Sequence, residues 1–480
     1  MRPAAAIRLP RGGAGMLARA LDAARADYAL PVPADATRRA IALGWLGLAL
    51  AAIIASGVFS VLLVAARTPF LAPLFPIADF FHVALVVHVD LSVLVWFVAC
   101  AGLVWTLNGA ERFAGLGWFA LALAAVGTAL MCVAPFVGRG GPIMANYIPV
   151  LDDPVFLAGL IVFGIGFGAL TLRAMAAPGR VSFALEGADA QRFGLNAAAV
   201  SGAVALGAFI WSWLAVPADL AAKPYYELLW WGGGHVLQFT WTLLMLVAWL
   251  WLATLCGARV PLGPRVATLV FAIGLASVFA TPVIYLAWDV ASSQHRQLLT
   301  WLMRFGGGLA ILPVAIALVI GLARANPPRE PAAAAEARPL RAALVASMTL
   351  FAVGGAIGFL IQGSDVRIPA HYHGSIVGVT LALMGLAYAL APRLGLGTPS
   401  TRLATLQPIL YGGGQLMHIV GLVWSGGYGV QRKVAGTSQV LRSTQEVIGM
   451  GVMGLGGLIA IVGGILFVVV MLQALHRRPR

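Results

Sequence analysis

His371-Tyr372-His373, set in Pro369-Ala370-His371-Tyr372-His373-Gly374-Ser375 at the start of a long apolar run, is the pattern in this chain with the most chemistry in it. Each helical residue turns by about 100°, so two imidazoles two positions apart point to opposite flanks of one axis. A single helix can then hold a cofactor on each side. Paired haem irons are the natural hypothesis, because neutral imidazole is the commonest metal ligand and is costly inside a membrane unless satisfied. Two interfacial histidines bonded to headgroups or backbone are the alternative reading.

Other histidines sit in settings that bear on the choice. His88 lies in Val86-Val87-His88-Val89-Asp90, and the small residues Ala99, Ala101 and Gly102 follow on the same run. Small residues let a flat macrocycle approach a helix, whereas a bond to a neighbouring carbonyl is the plainer role for His88. His235 follows Trp230-Trp231-Gly232-Gly233-Gly234, where glycines thin the helix so that something bulky can lie against it. His418 follows Gly412-Gly413-Gly414-Gln415, and the next loop holds the adjacent cations Arg432 and Lys433, suited to haem propionates or to lipid phosphate. His295 stands beyond Asp289, and Tyr285 is either a redox tyrosine or a packed aromatic.

The elements that must position these groups are membrane helices. The chain has 480 residues, 61% hydrophobic and 10% charged, with a mean hydropathy of +0.92; the fold class is all-α and polytopic. Apolar runs begin near Arg39, Asp79, Gly115, Asp153, Phe193, Glu227, Arg265, Leu299, Leu340, Ala370, Leu403 and Glu446, which predicts twelve spans. The net charge of +14 invites a nucleic-acid reading. The Lys and Arg residues sort by side of the membrane instead of forming one basic face, which argues against that partner and places both termini in the cytoplasm.

The expected organisation is a basic cytoplasmic arm over 1–39, a twelve-helix haem-binding membrane domain over 40–475 and a basic tail over 476–480. No cleavable signal peptide is expected before Ala40. Pro327-Pro328-Arg329-Glu330-Pro331 and the alanine run after it read as a linker between the eighth and ninth spans. Seven of the eight histidines, His476 excepted, fall near the non-cytoplasmic ends of these spans, which favours one layer of chemistry. No span contains lysine, and Asp79, Asp90, Glu227, Asp289 and Glu446 are expected at the membrane edges. Cys100, Cys132 and Cys256 read as inert thiols. With no C-x-x-C-H motif and no paired-cysteine copper loop, electrons must arrive from elsewhere.

Taken together, these residues resemble subunit I of the haem-copper oxidase superfamily, which includes terminal oxidases and nitric oxide reductases. The resemblance covers the whole membrane-embedded chain and is most specific at the H-x-H of the tenth span. It implies that His88 and His373 are axial ligands of a low-spin haem and His371 the proximal ligand of a high-spin haem. It also implies that His235, preceded by Trp231, is the first ligand of a distal copper, and that Arg432 and Lys433 meet the propionates; Gln415 and His418 echo the family's eleventh helix.

The implied function is reduction of O2 to water as a respiratory terminal oxidase of the bacterial cytoplasmic membrane. Its electrons come from cytochrome c or a cupredoxin-like donor through a companion subunit. The adjacent His-His pair that family members carry on the seventh span is replaced here by Val283-Ile284-Tyr285-Leu286-Ala287-Trp288, leaving His295 as the nearby histidine and the copper in doubt. The position four after His235 is Phe239, where the family has its redox tyrosine, so Tyr285 becomes the candidate catalytic tyrosine. Nitric oxide reduction, a haem electron-transfer subunit with a degenerate distal site, and a twelve-helix transporter are the competing readings.

Overall fold

A computed structural model describes residues 27–67, 80–325, 328, 330–363, 365–431 and 441–477. Long apolar sequence leaves backbone groups no partner but each other, and the chain answers with helix after helix. These are α1 Ala36–Arg67, α2 Phe80–Asn108, α3 Ala114–Val137, α4 Pro154–Ala176, α5 Gly187–Ala215 and α6 Ala222–Leu255. They continue as α7 Pro264–Ala287, α8 Ser293–Ala323, α9 Pro331–Phe359, α10 Arg367–Arg393, α11 Thr401–Gly427 and α12 Thr444–His476.

Among the described residues, eleven of these helices are long and apolar enough to cross a membrane by length and composition, and α11 is the exception. Its 27 residues reach about 40 Å at 1.5 Å each, long enough to span. What lowers its apolarity is an inward-turned set of polar side chains. Gln407, fully buried, accepts the Tyr388 hydroxyl of α10 at 3.2 Å. The rest of α11 lies close along α12, where Gly414 and Gly421 pack directly on the partner backbone in the small-residue manner of membrane helix pairs.

The helices carrying the histidine motifs are the central ones. In α6 and α10, 89% of the most apolar window is buried inside the protein, and in α2 67%, against 50% or less elsewhere. An apolar helix facing lipid needs no further burial, so these three are enclosed by their neighbours. Between α3 and α4 a short hairpin, β1 Pro142–Ile143 paired antiparallel with β2 Val150–Leu151, lies against α6. It carries Tyr147 at its tip.

Two expectations change, and the end of the N-terminal arm gains an anchor. The alanine run after Pro331 belongs to α9, because proline suits the first helical position and alanine is the strongest helix former. The end of the N-terminal arm is not free. Tyr28 is fully buried, its backbone N–H donates to Thr254 and its carbonyl accepts from Gln191, so the chain is pinned to α5 and α6 before α1 begins. Residues 1–26 of the arm and 478–480 of the tail lie outside the described residues. Asp90 is not at an edge: it is 1% exposed within α2, in a π-helical stretch over Asp90–Val95.

The start of α10 is held by Asp365. Its carboxylate accepts the Arg367 backbone N–H at 2.8 Å and the guanidinium Nε at 2.9 Å, and Val366 N–H donates to Val430 O at 3.1 Å. Burial pushes this carboxyl up, but the Arg367 hydrogen bonds and charge outweigh it and hold the group below its ordinary value. A carboxylate depressed on folding stabilises above its unfolded pKa of about 3.9 and loses that contribution as pH falls through the lower folded value. Thermal unfolding is expected to show an acid limb below about pH 4, and Asp365→Asn should flatten it while costing on the order of 1.5 kcal/mol at neutral pH. An unchanged pH profile in the variant would contradict this anchoring role.

Candidate redox centre

Four histidines, three on the enclosed helices and His418 on α11, share one arrangement. In each, Nδ1 meets a backbone carbonyl: His88 with Ser56 O at 3.0 Å, His235 with Trp231 O at 2.7 Å, His371 with Gly354 O at 2.7 Å, and His418 with Met453 O at 2.9 Å. A carbonyl only accepts, so Nδ1 carries the proton and donates, and Nε2 is left as the basic nitrogen. Ligating imidazoles are oriented in just this way, by a carbonyl behind the ring.

His88 is further fixed by the hydroxyls of Ser56 and Ser60 on α1, at 2.9 and 3.0 Å from Nδ1. His371 owes its carbonyl to a close crossing of α9 and α10. A Cβ on Gly354 would stand 2.5 Å from the Ser375 backbone nitrogen, so only glycine allows the approach that places Gly354 O under the ring. The His373 ring stacks obliquely on His418, centroids 4.7 Å apart, and His88 is within electrostatic reach of it. Asp90, two residues after His88, has both carboxyl oxygens unpartnered among the described residues. A π-helical stretch and an orphaned buried carboxyl both cost folding free energy, and π-bulges are frequent at functional sites.

On α6 the three glycines each receive an aromatic ring of the protein itself. Tyr285 of α7 would lie 1.8 Å from a Cβ at Gly232, Phe209 of α5 2.3 Å from one at Gly233, and Tyr147 2.3 Å from one at Gly234. The bulk expected against this helix is therefore side chain. Tyr147 adopts φ 67°, and its hydroxyl donates to His235 Nε2 at 2.9 Å. Trp231 closes the other side, its ring centroid 4.9 Å from His235, while its indole N–H donates to Arg296 O at 3.1 Å. Tyr372, between the two histidines of α10, and Glu227 are within electrostatic reach of Tyr147; burial first, then these two groups, push its phenol well up. Asn146 donates to Glu227 at 2.8 Å and ties the hairpin tip to α6.

Tyr285 and His295 form a second, separate pair. Their rings meet edge to face with centroids 4.6 Å apart. The Tyr285 hydroxyl is shared with Ser212 Oγ at 2.7 Å and Ala208 O at 3.2 Å, and it makes no hydrogen bond to His235 among the described residues. His295 is fully buried with neither ring nitrogen hydrogen-bonded among the described residues, and is within electrostatic reach of His235. Arg432 and Lys433 lie outside the described residues.

A cryo-EM structure of a haem-copper terminal oxidase dimer superposes on 93% of this chain and 86% of its own, with a TM-score of 0.67 at 15% identity. The chain has the subunit I fold of the haem-copper oxidases. By sequence it belongs to one family with an uncharacterized protein of Aquifex aeolicus, 30% identical over 73% of this chain and 84% of the relative. An uncharacterized protein of Rickettsia prowazekii is 28% identical over 89% of this chain and 94% of its own. No family model matches the sequence.

Within this haem-copper oxidase fold, the residues fit the haems better than the copper. His88 and His371 each present an Nε2 that makes no hydrogen bond among the described residues, backed by a donated Nδ1. His235 does not: its Nε2 already accepts the Tyr147 hydroxyl. No group of three or more His, Cys, Asp or Glu side chains among the described residues converges as a metal site. Copper needs several correctly placed donors, and His235 with His295 does not supply them.

Sequence reasoning missed Ser56, Ser60, Gly354 and Tyr147. The serines were signalled by their i, i+4 spacing on an otherwise apolar helix, and Tyr147 only indirectly, by a glycine beside a histidine.

Proposed function

We propose that this chain is the haem-bearing subunit of a respiratory membrane oxidoreductase of the terminal-oxidase type, with O2 as its electron acceptor. The observation carrying this reading is the shared setting of His88 and His371, each with Nδ1 committed to a backbone carbonyl and Nε2 open. His88 and His373 would hold one haem and His371 the other. Haem held by His88 and His373 would relay electrons, and haem held by His371 would supply an iron able to bind a diatomic.

The chain's own residues do the rest. Ser56 and Ser60 hold the His88 ring, and Gly354 O holds that of His371, fixing tautomer and direction. The Tyr147 hydroxyl holds a proton against His235 Nε2 in a buried setting, within electrostatic reach of Tyr372 of α10. Such a pair can position a polar ligand atom or pass it a proton without a metal. Electrons enter from a cytochrome c or cupredoxin-like donor through a companion subunit, since the chain carries no C-x-x-C-H motif and no paired-cysteine copper loop.

The engaged Nε2 of His235 favours a second reading, a haem electron-transfer subunit that performs no chemistry on a diatomic. Reduced-minus-oxidised spectra with and without carbon monoxide separate the two. A carbon monoxide shift in one of two haems is expected; two haems with no shift would leave electron transfer alone, and no haem would end both readings.

A further inference from the structure

We propose that the groove between α9 and α11 binds one anionic glycerophospholipid, its phosphate on Arg338 and Arg341 and an acyl chain along the helices. The groove has a volume of about 460 Å³ and runs from Arg338 to Leu350 on α9 and from Thr405 to Leu416 on α11. Twelve residues of α9 cover about 18 Å. That is slightly more than one leaflet of a hydrocarbon core of about 30 Å, so the groove suits a single leaflet's acyl chain.

Charge is confined to one end. Arg338 is exposed, and Arg341 is half-buried with one Nη donated to Leu322 O at 3.1 Å, at the C-terminal end of α8. That bond uses one N–H of a guanidinium that lines the groove, and the fork that remains matches phosphate. Beyond the mouth the wall is Val345, Ile409, Gly413 and Leu416.

The glycine triplet of α11 explains how the groove opens. Gly412 packs on Ala346 of α9 and Gly414 on the backbone of α12, while nothing lies within 4 Å of where a Gly413 Cβ would sit. A larger residue at 413 would project into the groove. Its mouth lies at the end of the bundle opposite the histidine layer, the side where Lys and Arg are concentrated, so this site is independent of the haem chemistry. A partner helix would fill an apolar groove equally well, but would gain nothing from two arginines at one end.

Full-length protein, delipidated and titrated with phosphatidylglycerol or phosphatidylcholine, is read by native mass spectrometry. One phosphatidylglycerol per chain is expected, with each arginine contributing about fivefold to the preference over phosphatidylcholine. Arg338→Gln with Arg341→Gln should abolish the preference, and Gly413→Leu should weaken both lipids, with unchanged helical circular dichroism as the folding control. Equal binding of the two lipids, unchanged phosphatidylglycerol binding in the variants, or a protein subunit occupying the groove in cross-linking would overturn the proposal.

Discussion

His371→Ala is expected to remove the carbon monoxide-sensitive component of the reduced spectrum and leave the low-spin bands, while His88→Ala does the reverse. The two side chains sit on different helices with separate supports, His88 on Ser56 and Ser60 of α1, His371 on Gly354 of α9. Losing one ligand therefore does not disturb the other's orientation. Each substitution should cost one of two haems, an effect far larger than loss of a group that supports a ligand, which typically weakens a metal site by about 10–100-fold. His373→Ala should resemble His88→Ala, since both belong to the same proposed haem. Loss of the carbon monoxide response in His88→Ala with the low-spin bands retained would reverse the assignment.

Gly232→Ala should be among the most destabilising single changes in the protein. Its Cβ would stand 1.8 Å from the Tyr285 hydroxyl, which is buried and shared with Ser212 and Ala208. The ring must move, which costs about 1–3 kcal/mol in overpacking. It also leaves a buried hydroxyl unpaired, for about 1–3 kcal/mol more. Gly413→Ala is the control: open space surrounds that position, and alanine is the better helix former, so its unfolding temperature should match or exceed that of the parent. Thermal unfolding in detergent compares the two, and equal destabilisation would show that the packing of α7 on α6 has been misjudged.

That glycine triplet also shows where sequence reading stops. Three glycines before His235 announce close approach, but what approaches is set by the tertiary crossing of α5, α7 and the β1–β2 hairpin. The H-x-H of α10 was legible because its meaning is local: helical geometry alone separates the two rings. The supports behind the rings were not, since Ser56 and Gly354 reach their histidines only after α1 and α9 have packed. The twelve helices follow from apolar length, and α11, the least apolar, is among them through the run that begins near Leu403. Tyr147 was hidden in an irregular loop, where neither period applies and a left-handed backbone angle aims the ring. Tyr285, the tyrosine singled out instead, is engaged with Ser212 and His295, and the hydroxyl on His235 is that of Tyr147.

The central claim is that two haems are held by His88, His373 and His371 while Tyr147 takes the place of a metal on His235. Haem and metal content of the purified chain tests it most directly. Two haem irons per chain are expected, with copper well below one. One copper for every two haems would contradict the distal assignment, and a chain without haem would contradict the account as a whole.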